Sequence, residues 1–523
     1  MKHTKIWNGL LLLLWFVLLA VEGLTMYTIV RINMLPDHYL IILASAFAVV
    51  WVLMGLMLLP GRNQSGSLRR GIAAVLILVL CVGCAVVSTV VSDVYETMNN
   101  VLGDPSGEEE KPTRSVYVLQ DDPAQSIADA AEYVFGKIDR YDTENVQQAV
   151  DAIGIATGKT PKVMEYSSLT AMVDALYAGE VDAIIVSDVN LDILANDDNY
   201  TDIFSRVRLL YSVEIDEQPA VSDTTPTTEP TAPTEEPVTA PSEEPTTEPV
   251  ATEPPDVSNT PFLVYVGGSD TRSAYLSKSR NDVNILAVVN PVTKQILLIN
   301  TPRDFFVENP AGNNALDKLT HCGLYGVENS AQALAQLYDQ NVEYYAQINF
   351  AGFETMIDAI GGVTIYSDVS FYTIEGYYIA KGENTLGGAK ALSFARERSN
   401  VAGGDETRGE NQMKVIRAVI QKLTTGTTVI TRYAEILDSL KGMFTTNLTM
   451  DEISLLVKMQ LSDMASWEVL TYSVTGFHSY GVNYSDPGRE LYVMEPNMET
   501  VDAAKALIQR VLDGEVLTQD DLK

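Results

Sequence analysis

The sequence predicts an α/β protein anchored by three membrane-spanning helices, with a small α/β lobe between the anchor and a larger C-terminal α/β domain. Three observations predict this. Apolar residues crowd into three long runs within residues 6–91. Beyond residue 113, strand-like apolar runs alternate with helix-like periodicity, the pattern of a sheet covered by helices. A Pro/Thr/Glu tract at 216–260 then cuts the soluble part in two.

The apolar runs cover 7–30, 39–59 and 71–91, each long enough to cross roughly 30 Å of hydrocarbon as a helix. Glu22 is the charged group within the first run. That run is too long for a cleaved signal peptide, has no obvious small-x-small cleavage site, and is followed by two more spans. Basic residues set the expected orientation. Lys2, Lys5, Arg62, Arg69 and Arg70 lie at one end of the bundle, whereas the 31–38 loop carries only Arg31. The N-terminus and the 60–70 loop are therefore expected in the cytoplasm, and everything after about residue 92 outside the cell, in a multi-pass protein of the cell membrane. Cys81 and Cys84 fall inside the third run, where small packing residues explain them better than metal or redox chemistry. Cys322 stands alone, so the outer domains rest on their cores rather than on disulfides.

Residues 93–112 form an acidic connector, and 113–215 a compact α/β unit. SVYVLQ, KVMEYSS and VDAIIVS predict strands; SIADAAEYVFGKI, TENVQQAVDAIGIATG and LTAMVDALYAGE predict amphipathic helices, the last ended by Gly179. EYSSLTAMVDALYAGEVDAIIVSD resembles the second lobe of extracellular solute-binding proteins. Those proteins clamp a ligand between two lobes, so a single lobe implies an accessory or interaction module. The 216–260 tract has almost nothing to bury and repels itself. At about 3 Å per residue it is a solvated spacer with a reach of roughly 100 Å.

Residues 261–523 predict one α/β domain, large enough for its own core. FLVYVGG, VNILAVVN and QILLINTP are strands; SAQALAQLYDQ and FETMIDAIGG are helices. After 410 the pattern is mostly helical, through NQMKVIRAVIQKL, YAEILDSLKGMF, MDEISLLVKMQ and VDAAKALIQRVLDGE.

Three stretches of this domain concentrate arginine and aspartate: GGSDTRSAYLSKSRND, TPRD and ARERSNVAGGDETRGENQ. The chain carries a formal net charge of −34, so a local cationic cluster requires its own explanation. Guanidinium forks bind phosphate oxygens in pairs, and carboxylate oxygens hold magnesium. Asp270 follows a Gly-Gly turn at a strand end, and Asp282 closes the next loop. Capping of turns is the ordinary use of such aspartates; a metal pair is the sharper one. Arg280 precedes Asp282, and Pro302 holds Arg303 at a strand exit, where an ion pair with Asp304 is the plain alternative. Arg396 and Arg398, if extended, share a face. Arg408 and Gln412, four apart, stack on one side of a helix that Asp405 is placed to cap. A solvated charged face competes for each of these alone; four phosphate-competent groups around a Gly-Gly pair weaken it. His321 and Cys322 are adjacent, a poor arrangement for a nucleophile and its base. No basic helix–turn–helix is present, and nucleic acid is not an expected partner.

GGSDTR, RNDVNILAVVNP, TPRDFFV, DKLTHCG, INFAGFETMIDAIGGVTI, LGGAKALSFARER and GDETRGENQ, in this order over nearly all of 261–520, resemble the LytR-CpsA-Psr family of bacterial cell-wall enzymes. The resemblance implies an α/β/α domain with a central mixed sheet and an apolar tunnel for a polyprenyl tail, with INFAGFETMIDAIGG as one wall. It also implies transfer of a glycopolymer, such as teichoic acid or capsule, from a polyprenyl-pyrophosphate carrier at the membrane to peptidoglycan. On this likeness Asp270 and Asp282 would hold Mg²⁺. Arg280, Arg303, Arg396, Arg398, Arg408 and Gln412 would grip the pyrophosphate, with Arg396 and Arg398 also catalytic, and Asp405 would be the base for the attacking hydroxyl. The chain departs from the family pattern in RND for RSD, in Asn300-Thr301 for Ser-Ile, and in Asn411 for an arginine. Three spans and the 113–215 module are also unusual beside the commoner single span. A pyrophosphatase that uses water, and a non-enzymatic lipid-binding regulator of the envelope, are the rival readings.

Overall fold

The computed structural model describes residues 2–59, 64–102, 113–138, 143–195, 197, 199–215, 256–270, 278–425 and 428–522. The first part is three helices, α1 (Lys2–Ile32), α2 (Asp37–Leu58) and α3 (Gln64–Leu102). All three are long and apolar enough to cross a membrane. They overrun the expected spans, α3 most of all, because its polar extensions continue the helix past the apolar run. Trp15 of α1 and Trp51 of α2 stack with centroids 4.1 Å apart. Lys458 of the C-terminal domain reaches Asp37 at the start of α2, at 3.0 Å.

The next unit comprises β1 (Thr113–Leu119), β2 (Val134–Lys137), α4 (Thr143–Thr157), β3 (Lys162–Glu165), α5 (Leu169–Ala178), β4 (Ala183–Val186), α6 (Asp188–Leu194), α7 (Ile203–Arg206) and β5 (Val207–Glu214). Its sheet runs β3-β2-β4-β1-β5. Separate cores cover its two faces, one built on Leu169, Met172 and Leu176 and the other on Ala149 and Ile153. Gly179 ends α5 in the left-handed conformation, as its place in the sequence predicts. SIADAAEYVFGKI is not the expected helix: it is a 3₁₀ turn over Ile127–Ala130 followed by β2. Parallel pairing of β2 with both β3 and β4 overrides the local helical periodicity, and Tyr-Val-Phe suits a strand.

Residues 216–255, most of the expected spacer, lie outside the described residues. Val257 is already buried in the C-terminal core, ahead of the expected start at 261. This domain holds β6 (Phe262–Ser269), β7 (Asn281–Asn290), β8 (Gln295–Asn300), β9 (Phe306–Asn309), β10 (Ala315–Lys318), α8 (Leu319–Cys322), α9 (Val327–Tyr338), β11 (Tyr344–Asn349), α10 (Phe350–Ala359) and β12 (Val363–Ser367). There follow β13 (Phe371–Tyr372), β14 (Tyr378–Ile379), β15 (Gly382–Leu386), α11 (Gly388–Arg396), α12 (Asp405–Thr424), α13 (Thr428–Leu440), β16 (Phe444–Thr446), α14 (Met450–Asp463), β17 (Glu468–Ser473), β18 (Gly476–Val482), β19 (Glu490–Pro496) and α15 (Met498–Leu512). A six-stranded mixed sheet, β16-β11-β6-β7-β8-β17, forms the centre. One face packs on α9 and α15 through Leu286, Leu334 and Ile508, the other on α12 and α14 through Ile285, Leu298, Met413 and Val469. The region after 410 is less helical than expected: it supplies β16 to β19, and β17 extends the sheet in parallel beside β8. Short alternating strands embedded among helices carry a weaker periodic signal than the helices themselves.

Candidate active site

Strands β6, β8, β11 and β17 run in the same direction, so their carboxyl ends share one edge. Loops at such an edge are where open α/β sheets place ligand groups. Asp270 follows β6 there, and Thr301–Asp304 follows β8. The antiparallel β7 starts at the same edge and carries Asp282. Gly268 faces Val283 while Ser269 faces Asn281, so Asp282 is the extra residue of a bulge. A bulge releases one side chain from the alternation of the strand. Asp270 N–H donates to the Arg280 carbonyl at 3.2 Å, joining the two described ends of the arginine-bearing loop; residues 271–277 lie outside the described residues.

The charges at this edge act on one another. Arg303 Nη1 donates to Asp282 Oδ1 at 2.7 Å, and its Nε lies 3.6 Å from Asp304 Oδ2. The alternative offered for Arg303, an ion pair with Asp304, is thus present but is the longer of the two. Burial by itself would raise the Asp282 carboxyl; Arg303, Arg408 and Arg280 more than offset it and hold Asp282 below the ordinary carboxylate range. Asp270 goes the other way. Burial first, then the neighbouring Asp282, push it up against the opposing pull of Arg280 and Arg303. Five of the nine expected site residues therefore share one electrostatic neighbourhood.

Arg408 reaches it because α12 lies hard against the end of β8. A Cβ on Gly409 would stand 2.4 Å from Asn300 Nδ2, so only glycine permits the approach. Arg408 and Gln412 are both buried, one turn apart, as their spacing predicts. Asp405 is not the cap: Gly404 holds that position and Asp405 is the first helical residue. The Asp405 side chain lies outside the described residues, and the base role expected of it with it.

Arg396 is the last residue of α11 rather than part of an extended segment. The expected common face with Arg398 is therefore absent, because the helix continues to Arg396 and Arg398 stands exposed beyond it. Arg396 sits over the Phe350 ring at 4.7 Å and reaches Glu375 at 3.3 Å. Phe350 follows β11, so Arg396 approaches the same sheet edge. Between the two arginines, buried Glu397 accepts the N–H groups of Ile374, Ser399 and Asn400, and braces the turn.

Among the described residues no group of three or more His, Cys, Asp or Glu is placed to hold a metal. Two carboxylates, Asp270 and Asp282, suit magnesium, which commonly takes one or two carboxylates and completes its shell with substrate phosphate oxygens and water. His321 and Cys322 do not face each other as base and nucleophile. His321 Nδ1 pairs with Asp317 Oδ1 at 2.8 Å, and burial pushes the Cys322 thiol far up.

A buried polar layer beneath the carboxylates escaped the sequence reading. Asn281 Nδ2 donates to Tyr265 OH at 2.9 Å and Ser330 Oγ at 3.1 Å, and Asn281 Oδ1 accepts from Gln347 Nε2 at 2.5 Å. Tyr265 OH in turn donates to Asn284 Oδ1 at 2.8 Å. These residues come from β6, β7, α9 and β11; only the placing of Asn281 directly before Asp282 hinted at a role.

A model of the LytR_cpsA_psr family matches residues 226–500. The chain is 32% identical over 226 residues to the polyisoprenyl-teichoic acid–peptidoglycan teichoic acid transferase TagU of Enterococcus faecalis, covering 43% of this chain and 74% of that protein. The protein of the same name from Bacillus licheniformis is 32% identical over 200 residues, 38% of this chain and 64% of its own. That from Bacillus subtilis is 31% identical over 194 residues, 37% and 62%. Of these last two the chain spans less than two thirds. The crystal structure of B. subtilis TagV aligns with 50% of this chain and 99% of its own, at 22% identity and a TM-score of 0.42.

Proposed function

The chain belongs to the LytR-CpsA-Psr family, and from that premise we propose that it transfers a glycopolymer, teichoic acid foremost, from a polyprenyl-pyrophosphate carrier to peptidoglycan. The observation that carries this reading is the 2.7 Å pair of Arg303 with Asp282 at the carboxyl edge of the sheet, with Arg280 and the buried Arg408 acting on the same carboxylate. Guanidinium groups gathered around two carboxylates in a strongly acidic chain fit a dianionic diphosphate with a divalent cation.

In the proposed step a peptidoglycan hydroxyl attacks the phosphorus that bears the polymer. A phosphodiester bond to peptidoglycan forms, the bond from that phosphorus to the bridging oxygen breaks, and polyprenyl phosphate leaves with the electron pair. Arg303 and Arg408 neutralise charge on the leaving phosphate, where preorganised donors contribute most. Arg280, Arg396, Arg398 and Gln412 orient the diphosphate, and Asp405 takes the hydroxyl proton. Asp270 and Asp282 would hold Mg²⁺, which when bound supplies further charge neutralisation at the diphosphate. For the prenyl tail, α10 offers the half-buried Phe353 and Met356, which border the apolar core of Ile357, Phe394 and Val415. The Lys458–Asp37 contact supports a catalytic domain on the side of the 31–38 loop, outside the cell by the charge asymmetry of the anchor.

Incubating the purified full chain with a lipid-linked glycan, Mg²⁺ and peptidoglycan tests the reading. Polymer coupled to peptidoglycan is the expected product. Free polymer would instead mark a pyrophosphatase, and unchanged lipid a non-catalytic binder.

Magnesium binding carries its own pH signature. Between the ordinary carboxylate value and its own raised value, folded Asp270 keeps a proton that the unfolded chain releases. Metal-free stability contributed by this group therefore falls as pH rises through that window. Magnesium needs the ionised form, so the rise in melting temperature on adding Mg²⁺ is expected to grow as pH climbs from about 4. Asp270→Asn should flatten that dependence; an Mg²⁺ effect of the same size and pH profile in the variant would remove Asp270 from the metal site.

A further inference from the structure

The 113–215 module is not left hanging from the anchor: it is seated on the loop of residues 483–489 in the C-terminal domain. Arg489 pairs with Asp197 of the module and with its own neighbour Asp486, the latter at 2.6 Å. Asn190 Nδ2 donates to the Ser485 carbonyl at 3.0 Å. Gly488 has φ +91° and lies so close to the module that a Cβ would stand 2.0 Å from the Ser167 carbonyl oxygen. Asn483, Ser485 and Asp486 are fully buried.

From this loop two chains of contacts lead to Arg303. Ser485 N–H donates to Asp317 Oδ2 at 3.1 Å, and Asp317 Oδ1 accepts the Lys318 N–H at 2.8 Å. Lys318 Nζ then reaches Asp304 Oδ1 at 3.4 Å, and Asp304 and Asp282 flank Arg303. Along the second route β19 starts directly after Arg489, and its Met494 N–H donates to the Asp304 carbonyl at 2.7 Å.

We infer that the module is a positioning element for the active site: its seat on the 483–489 loop sets Asp304 and Lys318, and through them the orientation of the Arg303 guanidinium. The inference rests on the function proposed above. Asp304 and Lys318 are positioning residues, since they act on the diphosphate only through Arg303. Contiguous networks of packed and ion-paired side chains carry coupling of a size that changes turnover measurably.

The test uses the full chain in lipid nanodiscs with lipid-linked glycan and peptidoglycan. Asp197→Asn is expected to lower kcat about three- to tenfold, and Asp197→Glu to recover it. Asn190→Ala, which removes a different contact, should act in the same direction. The double variant Asn190→Ala/Lys318→Met should be no slower than Lys318→Met alone, because both changes cut the route through Ser485 and Asp317. Full activity in Asp197→Asn, or effects that multiply, would overturn the inference. Amide hydrogen exchange at 301–306 gives a second readout that needs no turnover: faster exchange in Asp197→Asn supports the coupling and unchanged exchange overturns it. A wild-type chain that transfers nothing, while Asp197→Asn still loosens 301–306, would remove the proposed function and leave the coupling standing.

Discussion

Arg303→Ala is expected to lower transfer about 100- to 1000-fold, the loss typical of one preorganised donor aimed at developing charge. The same change leaves Asp282 without its 2.7 Å partner in a partly buried place beside Asp270. Two crowded carboxylates then share less positive charge, and the Asp282 carboxyl should rise toward and past its ordinary value. The stability that ionised Asp282 contributes, present above the ordinary carboxylate value and lost as pH falls through its depressed one, would shrink by about 2 kcal/mol. Arg303→Lys should restore the net charge but little of the rate, because an ammonium cannot serve Asp282, Asp304 and a phosphate through one planar fork. Initial rates and denaturation at two pH values check both parts. An alanine variant with near wild-type turnover would remove Arg303 from the transition state.

The second large effect falls on a residue that touches no substrate in the proposed step. Asn281→Ala should cost about 3–4 kcal/mol, since it strands the Gln347 amide and withdraws a donor from Tyr265 and Ser330 in a fully buried layer. The bulge that presents Asp282 stands directly on that layer, so Mg²⁺ affinity should fall with stability. Asn281→Asp keeps the shape but adds a third carboxyl beside Asp270 and Asp282. It should be tolerated better at acid pH, where that carboxyl can stay protonated, than at neutral pH. Chemical denaturation with and without Mg²⁺ reads the outcome; a loss under about 1 kcal/mol in Asn281→Ala would show that the layer is not holding the site.

What could be read ahead of the fold, and what could not, divides along physical lines. Anchor helices, the alternation of strands and helices, and the arginine-rich stretches are local in sequence, and hydrophobic periodicity or charge density exposes them directly. Arg408 and Gln412 fell on one buried helix face because four residues make about one turn. The errors have the opposite character. β2 is a strand because two neighbours pair with it, Gly404 rather than Asp405 takes the cap position, and Arg396 closes a helix. Each depends on what the rest of the chain offers that segment, and no window of sequence contains it.

By itself the sequence determined three helices long and apolar enough to cross a membrane, the α/β character of the two units that follow, the family resemblance, and which residues had the chemistry for a diphosphate and a hard cation. Tertiary structure alone decided which of those residues meet. The bulge at Asp282, the glycine contact that lets α12 reach Asn300, the Asn281 layer and the seat of the module on the 483–489 loop all join segments distant in the chain. Hydrogen bonds and ion pairs of that kind depend on atoms brought within about 3 Å, and only the assembled sheet and its packed helices bring them there.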